Sequence, residues 1–109
     1  MSRGRPAFLA ALLIAAALAA RPAAADPTVH VIRIADMRFG PAPAGVRVGD
    51  AIEWVNADLF EHTATARDRS FDLDLKPGAT ARIVVRSAGE IAYYCRFHPG
   101  MTGRIVVRQ

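Results

Sequence analysis

The chain has 109 residues, with 14 basic and 10 acidic side chains and a formal net charge of +4. Three of the basic residues, Arg3, Arg5 and Arg21, lie in the first 25 positions, which hold no acidic residue, so the remaining 84 residues carry 11 basic and 10 acidic side chains. Because nucleic-acid binding requires a basic patch on the folded domain, this near-even balance argues against it. A segment of 84 residues fits one small domain with a modest core.

The first 25 residues have the pattern of a secretory signal peptide. Arg3 and Arg5 precede an apolar stretch over residues 7–20, and the alanines at 23–25 offer a cleavage site before Asp26. This stretch is shorter than the ~20 apolar residues that a membrane-spanning helix needs. We therefore predict cleavage after Ala25 and a periplasmic mature protein, residues 26–109, that forms a single domain with no membrane span. An uncleaved membrane anchor is the alternative.

The rest of the chain has the pattern of short strands separated by glycine- and proline-rich turns. In the first of them, alternation puts His30, Ile32 and Ile34 on one face. Trp54 and Met37 are expected in the core. We predict strands over residues 29–34, 46–48, 51–56, 63–66, 70–75, 79–85, 91–95 and 102–107. This pattern indicates an all-β antiparallel sandwich or barrel of about seven to eight strands.

The only cysteine of the chain opens the run Cys95-Arg96-Phe97-His98-Pro99-Gly100-Met101, between the last two predicted strands. A thiolate, an imidazole and a thioether recur there at every third residue. Two His and one Cys with a weak axial Met form the blue-copper ligand set. An unpaired Cys in a secreted protein is intermolecular, reactive or a ligand, and the neighbouring His98 and Met101 favour a ligand. We predict one copper ion, cycling between Cu(I) and Cu(II), held by Cys95, His98, Met101 and a second histidine.

The second histidine is either His30 or His62. His30 alternates with apolar residues along a regular strand, where a ligand would lie along a barrel and not at its end. His62 lies in a different loop from Cys95, so a ligand there would fix the cavity independently of the short Cys–Met loop. The residues therefore favour His62.

Three other chemistries fit the run less well. A lone buried Cys often behaves as a small hydrophobe, but this does not explain the spacing of His98 and Met101. A Cys–His catalytic pair needs a third, orienting residue, and a base three residues away on one loop has poor geometry. A structural zinc site uses four Cys or His ligands, and Met is a poor ligand for zinc.

Six short motifs resemble those of a known family: Phe39-Gly40-Pro41, Val48-Gly49-Asp50, Glu53-Trp54-Val55-Asn56, His62, Tyr94-Cys95 and His98-Pro99-Gly100-Met101. The family is the cupredoxins, and the Cys-x2-His-x2-Met spacing resembles the amicyanin-like type with a short ligand loop, unlike the longer loops of plastocyanin and azurin. The resemblance implies a Greek-key β-sandwich with a type 1 copper ion at one end. It also implies that His62, Cys95 and His98 are the equatorial ligands and Met101 the axial one.

Two positions differ from many of these relatives. Thr63 follows the first histidine where Asn or Ser is frequent, so the side-chain tie between the two copper loops must come from a hydroxyl or be lost. Phe97 replaces the Pro of amicyanins and restores a backbone N–H. We predict that the N–H groups of Thr63 and Phe97 point at the Cys95 sulfur, where such hydrogen bonds raise the reduction potential.

The resemblance implies an electron carrier between periplasmic redox proteins. We expect transient docking near His98, Phe97 and Pro99, because weak redox encounters use small interfaces. A dehydrogenase or a cytochrome c would fit as partner, and we expect the carrier itself to be a monomer. Arg96, with the acidic residues Asp58 and Glu61, could orient the partner.

The alternative function is a copper carrier, or chaperone, that hands the metal to another protein. Such a carrier would need exchangeable ligands and often several Met or His residues, whereas the segment from Asp26 onward contains two Met. An enzyme is not expected, because four protein ligands leave no open position for a substrate.

Overall fold

The computed structural model describes residues 2–7, 10–16 and 26–109. The predicted cleavage site at 23–25 lies outside the described residues. Within them, the chain forms nine strands and no helix. In chain order the strands are β1 Val29–Ala35, β2 Arg38–Phe39, β3 Val46–Arg47, β4 Ala51–Asn56, β5 His62–Ala66, β6 Asp72–Leu75, β7 Thr80–Val84, β8 Gly89–Tyr94 and β9 Thr102–Arg108. Nothing in this described part could cross a membrane as an apolar helix.

The strands form two sheets that pack face to face. One sheet has the order β2-β1-β4-β7 and the other has the order β3-β9-β8-β5-β6. Alternate side chains of the strands enter the space between the sheets, as the burial of Ile32 and Ile34 in β1 and of Ile105 and Val107 in β9 illustrates. The predicted all-β sandwich is confirmed.

Two neighbouring strand pairs are parallel, and the predicted antiparallel arrangement is wrong for them. These are β1 with β4 and β3 with β9. In the first pair, Val29 lies opposite Ala51 and Ile34 lies opposite Asn56. Turn residues indicate hairpins between consecutive strands, whereas the strands of these two pairs are separated in the chain by other strands. Turn patterns therefore carry no information about these pairings.

The short strand β2 was not predicted, because Gly40 and Pro41 directly after Phe39 indicate a turn. It returns on β1 through a tight turn in which Asp36 and Met37 both have positive φ, 52° and 59°. Left-handed conformation at both central residues is the geometry of a two-residue hairpin turn. Met37 is 37% exposed there, so its predicted place in the core is wrong.

Aromatic rings fill the middle of the core. Trp54 is fully buried, as predicted, and its ring centroid lies 5.4 Å from that of Tyr93 and 5.3 Å from that of Phe71. Burial raises the pKa of Tyr93 to about 12. Gly103 lies opposite Tyr93 on β9, and a Cβ at that position would overlap the phenol ring. Only glycine leaves room for this ring, two residues before Cys95.

Candidate metal centre

The Cys–Met run forms a tight loop between β8 and β9. Backbone hydrogen bonds brace it twice: the N–H of Cys95 donates to the carbonyl of Met101 at 3.0 Å, and the N–H of Met101 donates to the carbonyl of His98 at 2.8 Å. Cys95 is fully buried, Met101 is 6% exposed and His98 is half-buried. Both Cys95 and Met101 belong to the hydrophobic core cluster. The loop thus holds two sulfur side chains inside the protein and one imidazole at its surface.

His62 reaches the same place from the first residue of β5. Its Nδ1 lies 3.8 Å from Cys95 Sγ, and the Nδ1 of His98 lies 3.6 Å from the same sulfur. One ligand atom from each of the three residues lies within 4.8 Å of the others. Metal–imidazole and metal–thiolate bonds are about 2.0–2.3 Å long, so ligand atoms at these separations can share one ion. Two imidazoles and a thiolate, with a buried thioether in the same loop, form a donor set that suits copper.

Asp58 orients the ring of His62. Its Oδ2 lies 2.9 Å from His62 Nε2, and it also accepts the N–H of Met37 at 2.9 Å, while Oδ1 accepts the N–H of Leu59 at 2.8 Å. The hydrogen bond to His62, followed by that from Met37, holds the pKa of Asp58 below its ordinary value. A ring that donates its Nε2 proton to a carboxylate keeps a lone pair on Nδ1, which is the nitrogen that faces Cys95.

The loop that carries Asp58 is shaped by Asn56, a fully buried polar residue at the end of β4. Its amide Nδ2 donates to the carbonyls of Phe60 at 2.8 Å and Leu75 at 2.9 Å, and its Oδ1 accepts the N–H of Asp58 at 2.9 Å. Each polar atom of the amide group therefore has a partner, as a buried amide requires. The Asn56 side chain fixes the path of the chain from β4 to His62.

Thr63, the second residue of β5, connects this strand to the loop that carries Cys95. Its N–H donates to Cys95 Sγ at 3.4 Å, as predicted, and its hydroxyl oxygen accepts the N–H of Arg96 at 2.9 Å. The side-chain tie to the Cys–Met loop is thus made by a hydroxyl. No bond from the N–H of Phe97 to the sulfur is found among the described residues, so that prediction is not supported.

The charges that the sequence suggested for partner docking are largely engaged within the protein. Asp58 binds His62, and Arg96 binds Asp72 at 3.0 Å and Asp74 at 2.9 Å. The role of Asp58 was missed, although an Asp four residues before a candidate ligand histidine is a detectable signal. Asp58 therefore stabilises the site internally, whereas the pairs of Arg96 with Asp72 and Asp74 lie at the surface.

Apolar side chains surround the centre at the surface. Leu59 and Phe60, in the loop before His62, are 88% and 56% exposed, and Phe97, next to His98, is 49% exposed. Pro99, on the other side of His98, is also exposed. His30 does not join the cluster: it forms a pair with Asp50, Nε2 to Oδ2 at 2.8 Å, near the start of β1.

A family model for the cupredoxin-like domain matches residues 7–107. The chain belongs to the cupredoxin-like family. Among cupredoxins it resembles the amicyanins: it is 28% identical to amicyanin-alpha of Methylorubrum extorquens over 114 aligned positions, which cover 93% of this chain and 96% of the relative. The predicted resemblance to amicyanin-like cupredoxins is confirmed.

Solved structures agree with this membership. The reduced state of a proline-to-phenylalanine mutant of amicyanin is 29% identical, with a TM-score of 0.65 over 73% of this chain and 82% of the other. A copper-containing nitrite reductase from Thermus scotoductus is also 29% identical, with a TM-score of 0.68. This cupredoxin chain matches only 23% of the nitrite reductase, so the likeness concerns one part of that enzyme.

Proposed function

We propose that the protein is a blue copper electron carrier that binds one copper ion through His62, Cys95, His98 and Met101. The observation that carries the proposal is the convergence of three ligand atoms within 4.8 Å, one from the start of β5 and two from the β8–β9 loop that also holds a buried methionine. Membership of the cupredoxin-like family and the likeness to amicyanins support copper as the metal. When bound, copper supplies a one-electron couple between Cu(I) and Cu(II).

The residues of the chain supply rigidity and exclude water. Cys95 and His62 are fully buried, so solvent has no direct access to two of the donors. Asp58 fixes the ring of His62, and two backbone hydrogen bonds brace the loop of Cys95 and Met101. A cage of this kind changes little between the two oxidation states, because its parts are held by contacts that do not depend on the metal. This is the property that a fast electron carrier needs.

His98 is the proposed route for electrons. It is the only half-buried member of the three clustered ligands, and exposed Phe97 and Pro99 flank it in the chain. We propose that a redox protein, of the dehydrogenase or cytochrome c type, docks transiently on this apolar surface, and that the carrier is a monomer. We further propose that residues 1–25 direct export to the periplasm and that residues 26–109 are the mature domain.

A copper titration of the purified protein tests this function. We expect Cu(II) to produce an intense visible thiolate-to-copper band at one equivalent, together with reversible one-electron cycling in a redox titration. Cys95→Ser should remove the band, because the thiolate is the charge-transfer donor. Tight but colourless Cu(I) binding, without reversible cycling, would instead favour the copper carrier, and full burial of Cys95 and His62 argues against easy transfer of metal.

A further inference from the structure

A closed ring of hydrogen bonds lies on the outer side of the second sheet, next to the metal centre. Its members are the Arg96 backbone and side chain, the hydroxyls of Thr63 and Thr65, and the carboxylate of Asp72. The Arg96 N–H lies 2.9 Å from Thr63 Oγ1, the two hydroxyl oxygens are 2.9 Å apart, Thr65 Oγ1 lies 2.7 Å from Asp72 Oδ1, and Arg96 Nε lies 3.0 Å from the same oxygen. We call it the Arg96–Asp72 ring.

The direction of every proton in the Arg96–Asp72 ring follows from the charge on Asp72. An ionised carboxylate only accepts, so the Thr65 hydroxyl donates to it. Because that hydroxyl has a single proton, its oxygen must accept the proton of Thr63. With its proton donated to Thr65, the Thr63 oxygen can only accept, and it accepts the N–H of Arg96. The hydrogen bonds of the ring can therefore be arranged in one direction only.

Burial makes this ordering energetically relevant. Thr63 is fully buried and Thr65 is 7% exposed, although both belong to the outer row of β5, opposite Asp74 and Asp72 of β6. Water therefore has little access to the two hydroxyls, and a broken bond would leave a buried polar group without a partner. Asp72 is ionised at neutral pH like any ordinary aspartate, and hydrogen bonds from Thr65 and then from Arg96 lower its pKa further.

The Arg96–Asp72 ring touches Cys95 on two sides. Thr63 donates its own N–H to Cys95 Sγ at 3.4 Å, and its oxygen holds the N–H of the residue that follows Cys95. Rotation of the Thr63 hydroxyl away from Arg96 would free the Cys95–Arg96 peptide. Cys95 would then be held less firmly, and the hydrogen bond from the Thr63 N–H to its sulfur would weaken. Thr65 and Asp72, the members of the ring that control this rotation, form no hydrogen bond with the predicted ligands in the part of the chain that the structure describes.

We propose that Thr65 and Asp72 are positioning residues for the Cys95 thiolate, which they orient through Thr63 and the backbone of Arg96. The proposal rests on the proposed copper function for its effect on potential, but the ordering of Cys95 holds for the metal-free protein as well. It also assigns Arg96 to the ring and not to steering a partner. Loss of the Thr65 hydroxyl should loosen the Thr63 N–H to sulfur bond, leave a more strongly donating thiolate and lower the reduction potential.

The test measures the alkylation rate of Cys95 in metal-free protein and the reduction potential after copper loading. Thr65→Val keeps the shape of the side chain but removes the hydroxyl. We expect alkylation of Cys95 to become about fivefold faster, a factor that corresponds to the net contribution of one hydrogen bond to stability. We also expect a lower reduction potential. Thr65→Ser should restore both values. Asp72→Asn should move both readouts in the direction of Thr65→Val.

The matched control is Asp74→Asn. It removes the same charge from the same strand and one Arg96 contact, but Asp74 is outside the ring. We expect its alkylation rate to equal that of the unaltered protein. Equal effects of Asp72→Asn and Asp74→Asn, or a Thr65→Val protein with unchanged alkylation, would overturn the proposal. If Thr65→Val does not fold, the comparison of Asp72→Asn with Asp74→Asn is sufficient to test the proposal.

The outcome for the ring can be separated from the outcome for the proposed function. If copper produces no blue site at all, the proposed function fails, while alkylation of the metal-free protein still tests the ring.

Discussion

Two histidine–aspartate pairs lie at different places in this sandwich and have nearly the same geometry. His62 Nε2 lies 2.9 Å from Asp58 Oδ2, and His30 Nε2 lies 2.8 Å from Asp50 Oδ2. Each carboxylate also accepts backbone N–H groups, from Met37 and Leu59 for Asp58 and from Thr28 and Arg47 for Asp50.

The difference between the pairs is the surroundings of the second ring nitrogen. His62 Nδ1 faces Cys95 Sγ at 3.8 Å, with His98 in the same cluster, whereas no cluster of metal-ligating side chains in the described residues includes His30. Asp50 instead joins the segment before β1 to the turn between β3 and β4. The same kind of pair therefore lies at the proposed metal centre in one place and connects strands in the other, so a His–Asp pair alone does not identify a metal site.

The largest expected effect comes from removing each histidine in turn. His62→Ala should abolish the visible copper band, because it removes one of the proposed equatorial ligands, while His30→Ala should leave the band at full intensity. Visible spectroscopy during a Cu(II) titration measures both. A coloured site in His62→Ala, or a colourless one in His30→Ala, would reverse the roles assigned to the two histidines.

The aspartates provide a smaller effect of the same kind. Asp58→Asn keeps the size of the side chain but weakens the acceptor for His62 Nε2–H, and loss of such a partner typically costs 10–100-fold in metal affinity. We expect a Cu(II) affinity lowered within this range, measured by competition with a chelator. Asp50→Asn, which changes the charge equally, should bind copper as the unaltered protein does. An equal loss in both variants would mean that overall charge, and not the His62 contact, is responsible.

The pH dependence of stability tests the pair of His30 and Asp50. Hydrogen bonds from His30 and from the backbone of Arg47 and Thr28 lower the pKa of Asp50 from 3.8 to about 2. Between these values the unfolded chain binds more protons than the folded one, so stability rises with pH there. The contribution of Asp50 is complete above the unfolded pKa and lost as the pH falls through about 2.

Urea unfolding of the metal-free protein from pH 2 to 5 measures this contribution. We expect Asp50→Asn to flatten the acid side of the profile. His30→Ala should have a similar effect, because the His30 bond is the largest cause of the shift. A profile that stays as steep in Asp50→Asn as in the unaltered protein would show that other carboxylates control the acid limb.

How much of the site was predictable depends on how local its parts are in the chain. Cys95, His98 and Met101 share one loop, and their spacing is a sufficient signal by itself. His62 was expected in a loop, but it is the first residue of β5, and it was favoured only by the argument about His30 and by resemblance. The role of Asp58 depends on the path that Asn56 imposes on its loop, which no spacing reports.

The fold shows the same limit. Alternation in β1 correctly predicted which side chains face the core, because that pattern belongs to a single strand. The parallel pairing of β1 with β4 and the contact of Arg96 with Asp72 and Asp74 join distant segments. Only the assembled sheets bring such residues together. This is why Arg96 was expected to face a partner and instead binds within the protein.

The smallest expected effect concerns the one suggested docking charge that remains. Asp58 and Arg96 are engaged in pairs, whereas Glu61, which is exposed in the same loop as Asp58, forms no ion pair within the described residues. A single exposed charge is strongly screened at physiological ionic strength, where the Debye length is about 8 Å. We therefore expect Glu61→Gln to change the rate of electron exchange with a redox protein by less than about twofold.

Phe97→Ala, which removes exposed apolar surface beside His98, should slow the exchange more than Glu61→Gln does. Stopped-flow mixing at two salt concentrations separates the two contributions. A large, salt-dependent effect of Glu61→Gln would mean that docking relies on charge, and that the apolar surface around His98 is secondary.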